Sequence, residues 1–199
     1  MIVTSVALSD SAQLNSSFTN ISILLASHTI AGTPKLICCT WLQANESWQD
    51  SIKLSALVKR YNLNSFKVQF ITADQLDDSD SEQQLLLAAV AQLQQYLRGK
   101  RQNFDLPLDT SLGTPFQQKV WQALLGINHG ETISYKTLAE RVNSPKGYRA
   151  VANANGKNPL SIIIPCHRVI ASDGKLGGYT GGLNKKECLL ALEGVECKS

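Results

Sequence analysis

Apolar positions fall into two rhythms along this chain. In the first third they come as short, β-branched runs: "IVTSVAL" from Ile2, "ISILLAS" from Ile21, "KLICCTWL" from Lys35 and "KVQFITA" from Lys67. Clusters of Ser, Asn, Asp and Gly bound them, the pattern of strands separated by turns. Between and after these runs, "QDSIKLSALVKRY" and "SEQQLLLAAVAQLQQYLRGK" repeat their apolar residues at three and four positions, which predicts helices. The segment from Gly99 to Pro115 is polar and broken by Gly and Pro, so it reads as a link between domains. Beyond it the helical rhythm dominates. Thr114, Pro115 and Gln117 make a capped helix start, followed by an apolar face of Phe116, Val120, Trp121 and Leu124. A second short helix begins at Ser134. A third runs from Ser144 to Gly156, with Ser as its cap and Pro in its first turn. The tight connection around "VNSP" makes these two a helix-turn-helix candidate. A strand "SIIIP", a loop "SDGKLGGYTGG" and a last helix from Asn184, with Glu187 completing its capping box, follow. The fold class expected is therefore α/β plus mostly α. An N-terminal domain with a small sheet and helices covers 1–108, and a C-terminal helical domain with a helix-turn-helix covers 109–199.

With 199 residues and 43% apolar composition, either one or two such domains can bury a core. No apolar run is long enough to span a bilayer, and the N-terminus lacks a basic region and cleavage site. A cytoplasmic protein with no membrane partner is expected. The five cysteines, Cys38, Cys39, Cys166, Cys188 and Cys197, form an odd set without any Cys-x-x-Cys pair, which argues against a disulfide framework and against zinc. At least one thiol must then be free, either packed or reactive. The net charge of +3 is unevenly spread: residues 1–108 hold 8 Lys/Arg against 9 Asp/Glu, and residues 109–199 hold 11 against 7. A mild basic excess in the second half is compatible with a polyanionic partner.

Three stretches of that half carry candidate chemistry. The third helix is built of small residues, Ala150, Ala152 and Ala154, with Arg149 and Asn153 one turn apart and Lys146 and Lys157 at its ends. Such a helix either packs closely on another helix or approaches a DNA groove. Its N-terminal residues, Lys146, Gly147 and Tyr148, are a poor set for reading bases, so any DNA contact would run through backbone and shape. Cys166 sits between Pro165 and His167, where an apolar run ends. A thiol reacts as the thiolate and needs a base or a positive charge nearby. His167 is adjacent, but neighbours on an extended strand face opposite sides, so a bridging water or a turn at Pro165 is required. Glu193 lies in the last helical turn, where an acid is electrostatically misplaced unless it meets a cation. Cys166, His167 and Glu193 together would follow the logic of nucleophile, base and orienting acid.

These motifs together resemble the O6-alkylguanine-DNA alkyltransferases, also called methylated-DNA–protein-cysteine methyltransferases. "PCHRV" at 165–169, "SYKTLAERV" at 134–142, "YRAVANANGKNP" at 148–159, "GYTGGL" at 178–183 and "KECLLALEG" at 186–194 occur in that family's order and spacing. The first 108 residues match only loosely. The resemblance implies a single-turnover repair protein that takes an alkyl group from guanine O6, with thymine O4 as a second candidate, irreversibly onto Cys166. It implies that His167 activates Cys166 through a water, that Glu193 holds His167, and that Asn158 braces the turn before the cysteine. Tyr135 would press on the target phosphate and donate to the departing base. Arg149 would fill the gap left by a flipped nucleotide, with Lys146, Ala150 and Asn153 on the same DNA-facing surface. Val169, Tyr179 and Thr180 would line the base pocket, with Lys186 beside it. The partner implied is double-stranded DNA, entered through the minor groove by a monomer in the cytoplasm, or in the nucleus of a eukaryote, and no cofactor is implied. Two positions depart from the pattern. Cys188 stands where Trp is usual and is expected to be packed. Thr180 replaces a smaller residue and is expected to narrow the pocket. A lesion-recognition module without transfer, a Cys–His–Glu hydrolase and an alkylation-sensing regulator are the competing readings.

Overall fold

The computed structural model describes residues 1–8, 21–43, 46–64 and 67–196, so Cys197 lies outside the described residues. The chain divides into two compact units, Met1–Asp109 and Thr110–Ser199.

The first unit is built on a four-stranded mixed sheet of order β3-β2-β1-β4. Strand β1 (Ile2–Ala7) pairs antiparallel with β2 (Ser22–Ile30), with Val3 opposite Ala26, and parallel with the two-residue β4 (Gln69–Phe70). Strand β3 (Thr33–Leu42) folds back on β2 through Ala31 and Gly32, both with positive φ, at 49° and 78°. That backbone sign matches the twist of a two-residue hairpin. Ile23, Leu24, Leu25 and Ala26 are all fully buried, so the middle of β2 is covered on both faces, and Cys38 and Cys39 are packed in β3. Burial pushes the Cys38 thiol up to about 12. Helices α1 (Ile52–Arg60) and α2 (Ser81–Leu97) complete the unit. Asp80 caps α2 by accepting from the backbone of Glu82 and Gln83, and Leu85, Leu86, Ala89 and Leu93 turn its apolar face to the core. Part of the segment read as a link belongs to this unit. The backbone of Leu36 donates to Pro107 at 2.8 Å and accepts from Asp109 at 3.0 Å, extending the β3 edge. Tyr61 donates to Asp109 at 2.5 Å.

The second unit is mostly helical, as expected. Helix α3 (Pro115–Leu125) starts with the capping box of Thr114 and Gln117, and Val120, Trp121 and Leu124 are buried. Helices α4 (Tyr135–Arg141) and α5 (Tyr148–Gly156) pack on each other and on α3 as a helix-turn-helix. Strand β5 (Ile133–Ser134) pairs with β6 (Val169–Ile170), and α6 (Leu183–Leu192) closes the unit against the turn that carries Cys166.

Three expectations of local structure are corrected. Helix α5 begins at Tyr148, not at Ser144, because Ser144 to Gly147 form a separate turn closed by the Gly147 amide on the Ser144 carbonyl. Helix α6 begins at Leu183 after Gly182, whose φ of 100° only glycine adopts readily, and Asn184 is inside it rather than its cap. The apolar run before Pro165 is not a strand. The Ile164 amide returns to the Leu160 carbonyl at 2.8 Å, and Ile162 has a φ of 73°. A β-branched residue in that region stores strain of about 1–3 kcal/mol. Asn158 supports the turn at both ends, accepting from Leu160 at 2.9 Å and donating to the Ile164 carbonyl at 2.8 Å.

Candidate active site

Pro165 changes the direction of the chain. Its φ of −81° and ψ of 63° with the 2.8 Å bond from the Cys166 amide to the Ile164 carbonyl form an inverse γ-turn. Cys166, His167 and Arg168 then make one turn of 3₁₀ helix. Successive side chains on such a helix diverge by about 120°, not the 180° of a strand. This is how adjacent residues serve one site. Cys166 lines a pocket of about 390 Å³, while His167 is fully buried in the unit.

The pocket walls come from three elements. Tyr135 stands at the first turn of α4, Ala152, Asn155 and Gly156 come from α5, and Gly178, Tyr179 and Thr180 come from the loop before α6. The Tyr135 hydroxyl donates to the Gly178 carbonyl at 3.1 Å. Burial, and next the neighbouring Cys166 thiolate, hold the Tyr135 phenol above its ordinary range, so it keeps its proton. Asn155, buried at 3% exposure, donates to the Cys166 carbonyl at 3.3 Å. The loop is pinned from outside by Thr180, whose hydroxyl donates to the Gly156 carbonyl at 2.8 Å. From beneath, the fully buried Lys186 ammonium donates to Val169 at 2.6 Å, to Gly178 at 3.4 Å and to Leu176. Val169 and Lys186 therefore lie behind the pocket wall instead of lining it.

Behind Cys166 the charged groups are paired. His167 Nε2 donates to Glu193 Oε1 at 3.0 Å. The Arg168 guanidinium grips the same carboxylate, with Nε at 2.9 Å from Oε2 and Nη2 at 2.8 Å from Oε1. Its Nη1 donates to the Ile127 carbonyl at 2.6 Å. The Gly130 amide donates to Glu193 Oε2 at 3.3 Å. Gly130 has a φ of 77°, and a Cβ there would stand 3.2 Å from the Glu193 carbonyl, so the position calls for glycine. Burial depresses the affinity of His167 for a second proton. Glu193 opposes this, Arg168 and Lys186 reinforce it, and the net displacement is downward.

The remaining residues singled out in the sequence lie elsewhere. Lys146, Arg149, Ala150 and Asn153 are exposed, whereas Val151, Ala154 and Asn155 of the same helix are buried. The Arg149 guanidinium sits 5.8 Å from the centre of the Tyr148 ring. Cys188 is half-buried on α6. Two residues escaped the sequence reading. Arg168 stood beside His167, but Glu193 was matched with His167 alone. Asn155 looked like one polar residue among several on α5, and only the position of the reactive turn gives it a role.

Known proteins share this arrangement. The description "6-O-methylguanine DNA methyltransferase, DNA binding domain" matches residues 115–195, and "6-O-methylguanine DNA methyltransferase, ribonuclease-like domain" matches residues 58–110. The chain belongs to this family. A methylated-DNA–protein-cysteine methyltransferase of Methanosarcina barkeri is 55% identical over 105 residues, 53% of this chain and 66% of the relative. One from Mycobacterium tuberculosis is 54% identical over 105 residues, 53% of this chain and 63% of the relative. These alignments thus span just under two thirds of each relative. Among solved structures, M. tuberculosis OGT in complex with DNA is similar with a TM-score of 0.67 and 31% identity, over 97% of this chain and 92% of that one. The O6-methylguanine-DNA methyltransferase of Pyrococcus kodakaraensis follows at a TM-score of 0.64 and 25% identity, over 97% and 99%.

Proposed function

We propose that this protein repairs DNA by moving an alkyl group from O6 of guanine irreversibly onto Cys166, once per chain. The observation that carries the reading is the position of Cys166: it forms part of a base-sized pocket while its chain neighbour reaches a buried carboxylate. An O6 adduct inside a duplex is out of reach of such a pocket, so the nucleotide must rotate out of the stack.

The exposed face of α5 enters the minor groove, where its small residues permit close approach and Lys146 and Asn153 meet the backbone. Arg149 takes the place of the extruded base, a device common among minor-groove binders. In the pocket the Cys166 thiol passes its proton through a bridging water to His167. The sulfur attacks the alkyl carbon in line with the C–O6 bond. A C–S bond forms, the C–O6 bond breaks, and its electron pair stays with the guanine. Tyr135, which remains protonated, donates to the base as that charge develops. The net proton passes from thiol to guanine, and the thioether cannot be reversed. Asn158 keeps the turn before Cys166 in place, and Lys186 holds the carbonyls of the pocket loop. The unit at 110–199 does this chemistry as a monomer wherever the DNA lies, and the unit at 1–109 supports it.

Intact-mass measurement after incubation with a duplex carrying one O6-methylguanine tests the proposal, with Cys166→Ser as control. One methylene added to the wild type alone, on Cys166 and saturating at one per chain, is expected. Unchanged mass with tight lesion binding would replace transfer by recognition, and repeated turnover would point to a hydrolase.

A further inference from the structure

Glu193 carries more partners than orienting a histidine requires. Oε1 accepts from His167 Nε2 at 3.0 Å and from Arg168 Nη2 at 2.8 Å, while Oε2 accepts from Arg168 Nε at 2.9 Å and from the Gly130 amide at 3.3 Å. A carboxylate has about four lone-pair sites, and each is used here. Arg168 is itself buried, at 5% exposure, and its remaining terminal nitrogen, Nη1, is held by the Ile127 carbonyl at 2.6 Å. The guanidinium therefore has one orientation, and so has the carboxylate.

The chemistry of the pair has a consequence for the imidazole. A guanidinium does not lose its proton in a protein and can only donate. A side-on guanidinium keeps Glu193 ionised, and an ionised carboxylate can only accept. Whatever faces Glu193 from the imidazole must then be an N–H, which assigns the proton to Nε2. We infer that Arg168 is a positioning residue: by fixing the Glu193 carboxylate and balancing its charge, it holds His167 as the neutral Nε2–H tautomer with Nδ1 as the basic nitrogen. Without Arg168, the buried carboxylate would have His167 as its natural counter-ion, and a doubly protonated imidazole cannot accept a proton from a thiol.

The other charges around the ring agree. The groups facing His167 are Glu193 at the end of α6, Lys186 within α6, and Arg168 and Cys166 on its own turn. Lys186 and Arg168 both oppose a charged ring, and Glu193 favours one, as does a Cys166 thiolate once formed. With Arg168 present the cations prevail, in line with the lowered proton affinity of His167.

The state of the imidazole can be read without any substrate, whereas the effect on transfer rests on the function proposed above. Two-bond ¹H–¹⁵N correlation spectra of labelled protein, recorded across a pH series, report tautomer and charge directly. The wild type is expected to show His167 neutral with its proton on Nε2 at pH 7. In Arg168→Met the ring should titrate at least about one pH unit higher, the size of shift a neighbouring charge produces. The rate of alkyl transfer should fall about tenfold at neutral pH and recover as pH rises, since the neutral fraction changes by that factor per unit. Arg168→Lys keeps the charge but not the fork, and should shift the ring less in the same direction.

A wild-type His167 that is charged at pH 7, or protonated on Nδ1, would overturn the inference. So would a folded Arg168→Met protein whose imidazole is unchanged, or one slowed equally at every pH. Breaking a buried ion pair strongly destabilises, so folding of the Met variant is checked by circular dichroism. If it does not fold, the wild type and Arg168→Lys decide, and a Lys variant titrating as the wild type does is then the overturning result. Should no transfer occur from any substrate while the imidazole behaves as stated, the proposed function fails and this assignment stands.

Discussion

The Thr180 hydroxyl donates to the Gly156 carbonyl at 2.8 Å, tying the pocket loop to the last residue of α5. A Cβ added at Gly156 would come within 3.3 Å of that same oxygen, so there is little slack on this side of the pocket. The bond and the γ-methyl group can be separated. Thr180→Ser keeps the hydroxyl and removes one methyl, whereas Thr180→Ala removes both. If the methyl limits the adduct, Thr180→Ser should react faster with O6-benzylguanine and unchanged with O6-methylguanine, by about fivefold or more, since one methyl(ene) misfit is worth about 1–3 kcal/mol. Competition between the two substrates, quantified by mass spectrometry, checks this. Equal gains on both would place the effect in loop mobility instead.

Arg149 and Cys166 belong to different surfaces of one unit, since Arg149 is exposed beside Tyr148 and Cys166 lines the pocket. Arg149→Ala should therefore slow transfer from duplex DNA by about tenfold to a hundredfold, given that unstacking costs a few kcal/mol. The same variant should react normally with the free base O6-benzylguanine, which needs no extrusion. Loss of both activities would show that Arg149 acts on the pocket and not on the duplex.

The parts of this protein that were legible in the sequence are those set by local rules. The Thr114–Gln117 capping box, the periodicity of α2 and the alternation of β1 to β3 need only neighbours a few positions away. Candidate site residues were legible because Cys166, His167 and Glu193 are chemically conspicuous. What failed was shape near the reactive turn. The run Leu160–Ile164 has strand composition, yet Asn158 binds both of its ends and forces a turn with Ile162 at φ 73°. A long-range device overrode local propensity there, as β-propensity allows. Arg168 was missed for a related reason: its partner Glu193 is 25 residues away and was already assigned to His167.

Gly113 supports the unit from outside the site. A Cβ at this position would lie 2.3 Å from Cζ3 of the Trp121 ring, far inside contact distance. The ring cannot yield easily, because Trp121 is 4% exposed and its Nε1 donates to the Ala154 carbonyl at 2.9 Å. Ala154 precedes Asn155, which donates to Cys166, so displacement of the indole reaches the reactive turn through two residues. Gly113→Ala should cost about 1–3 kcal/mol, the usual penalty for overpacking. Urea unfolding of the full chain measures it. A smaller cost with normal transfer would mean that the Gly113 backbone, and not the ring, moves aside.

The buried imidazole also makes stability depend on pH, with a defined sign. His167 has its folded proton affinity displaced below the ordinary 6.5, chiefly by burial. Above 6.5 neither the folded nor the unfolded chain binds this proton, and the full stability is present. As pH falls below 6.5 the unfolded chain takes the proton first, so stability falls by about 1.4 kcal/mol for each unit until the folded value is reached. His28 is displaced in the same direction and adds to the slope. His167→Gln removes one titrating group while keeping a side-chain donor toward Glu193. It should lose less stability than the wild type between pH 7.5 and pH 5, although it may begin from a lower value at pH 7.5. Parallel urea titrations at the two pH values provide the comparison. Equal losses in both proteins would assign the acid sensitivity to His28 and the carboxylates, and would leave His167 without a folding role in that range.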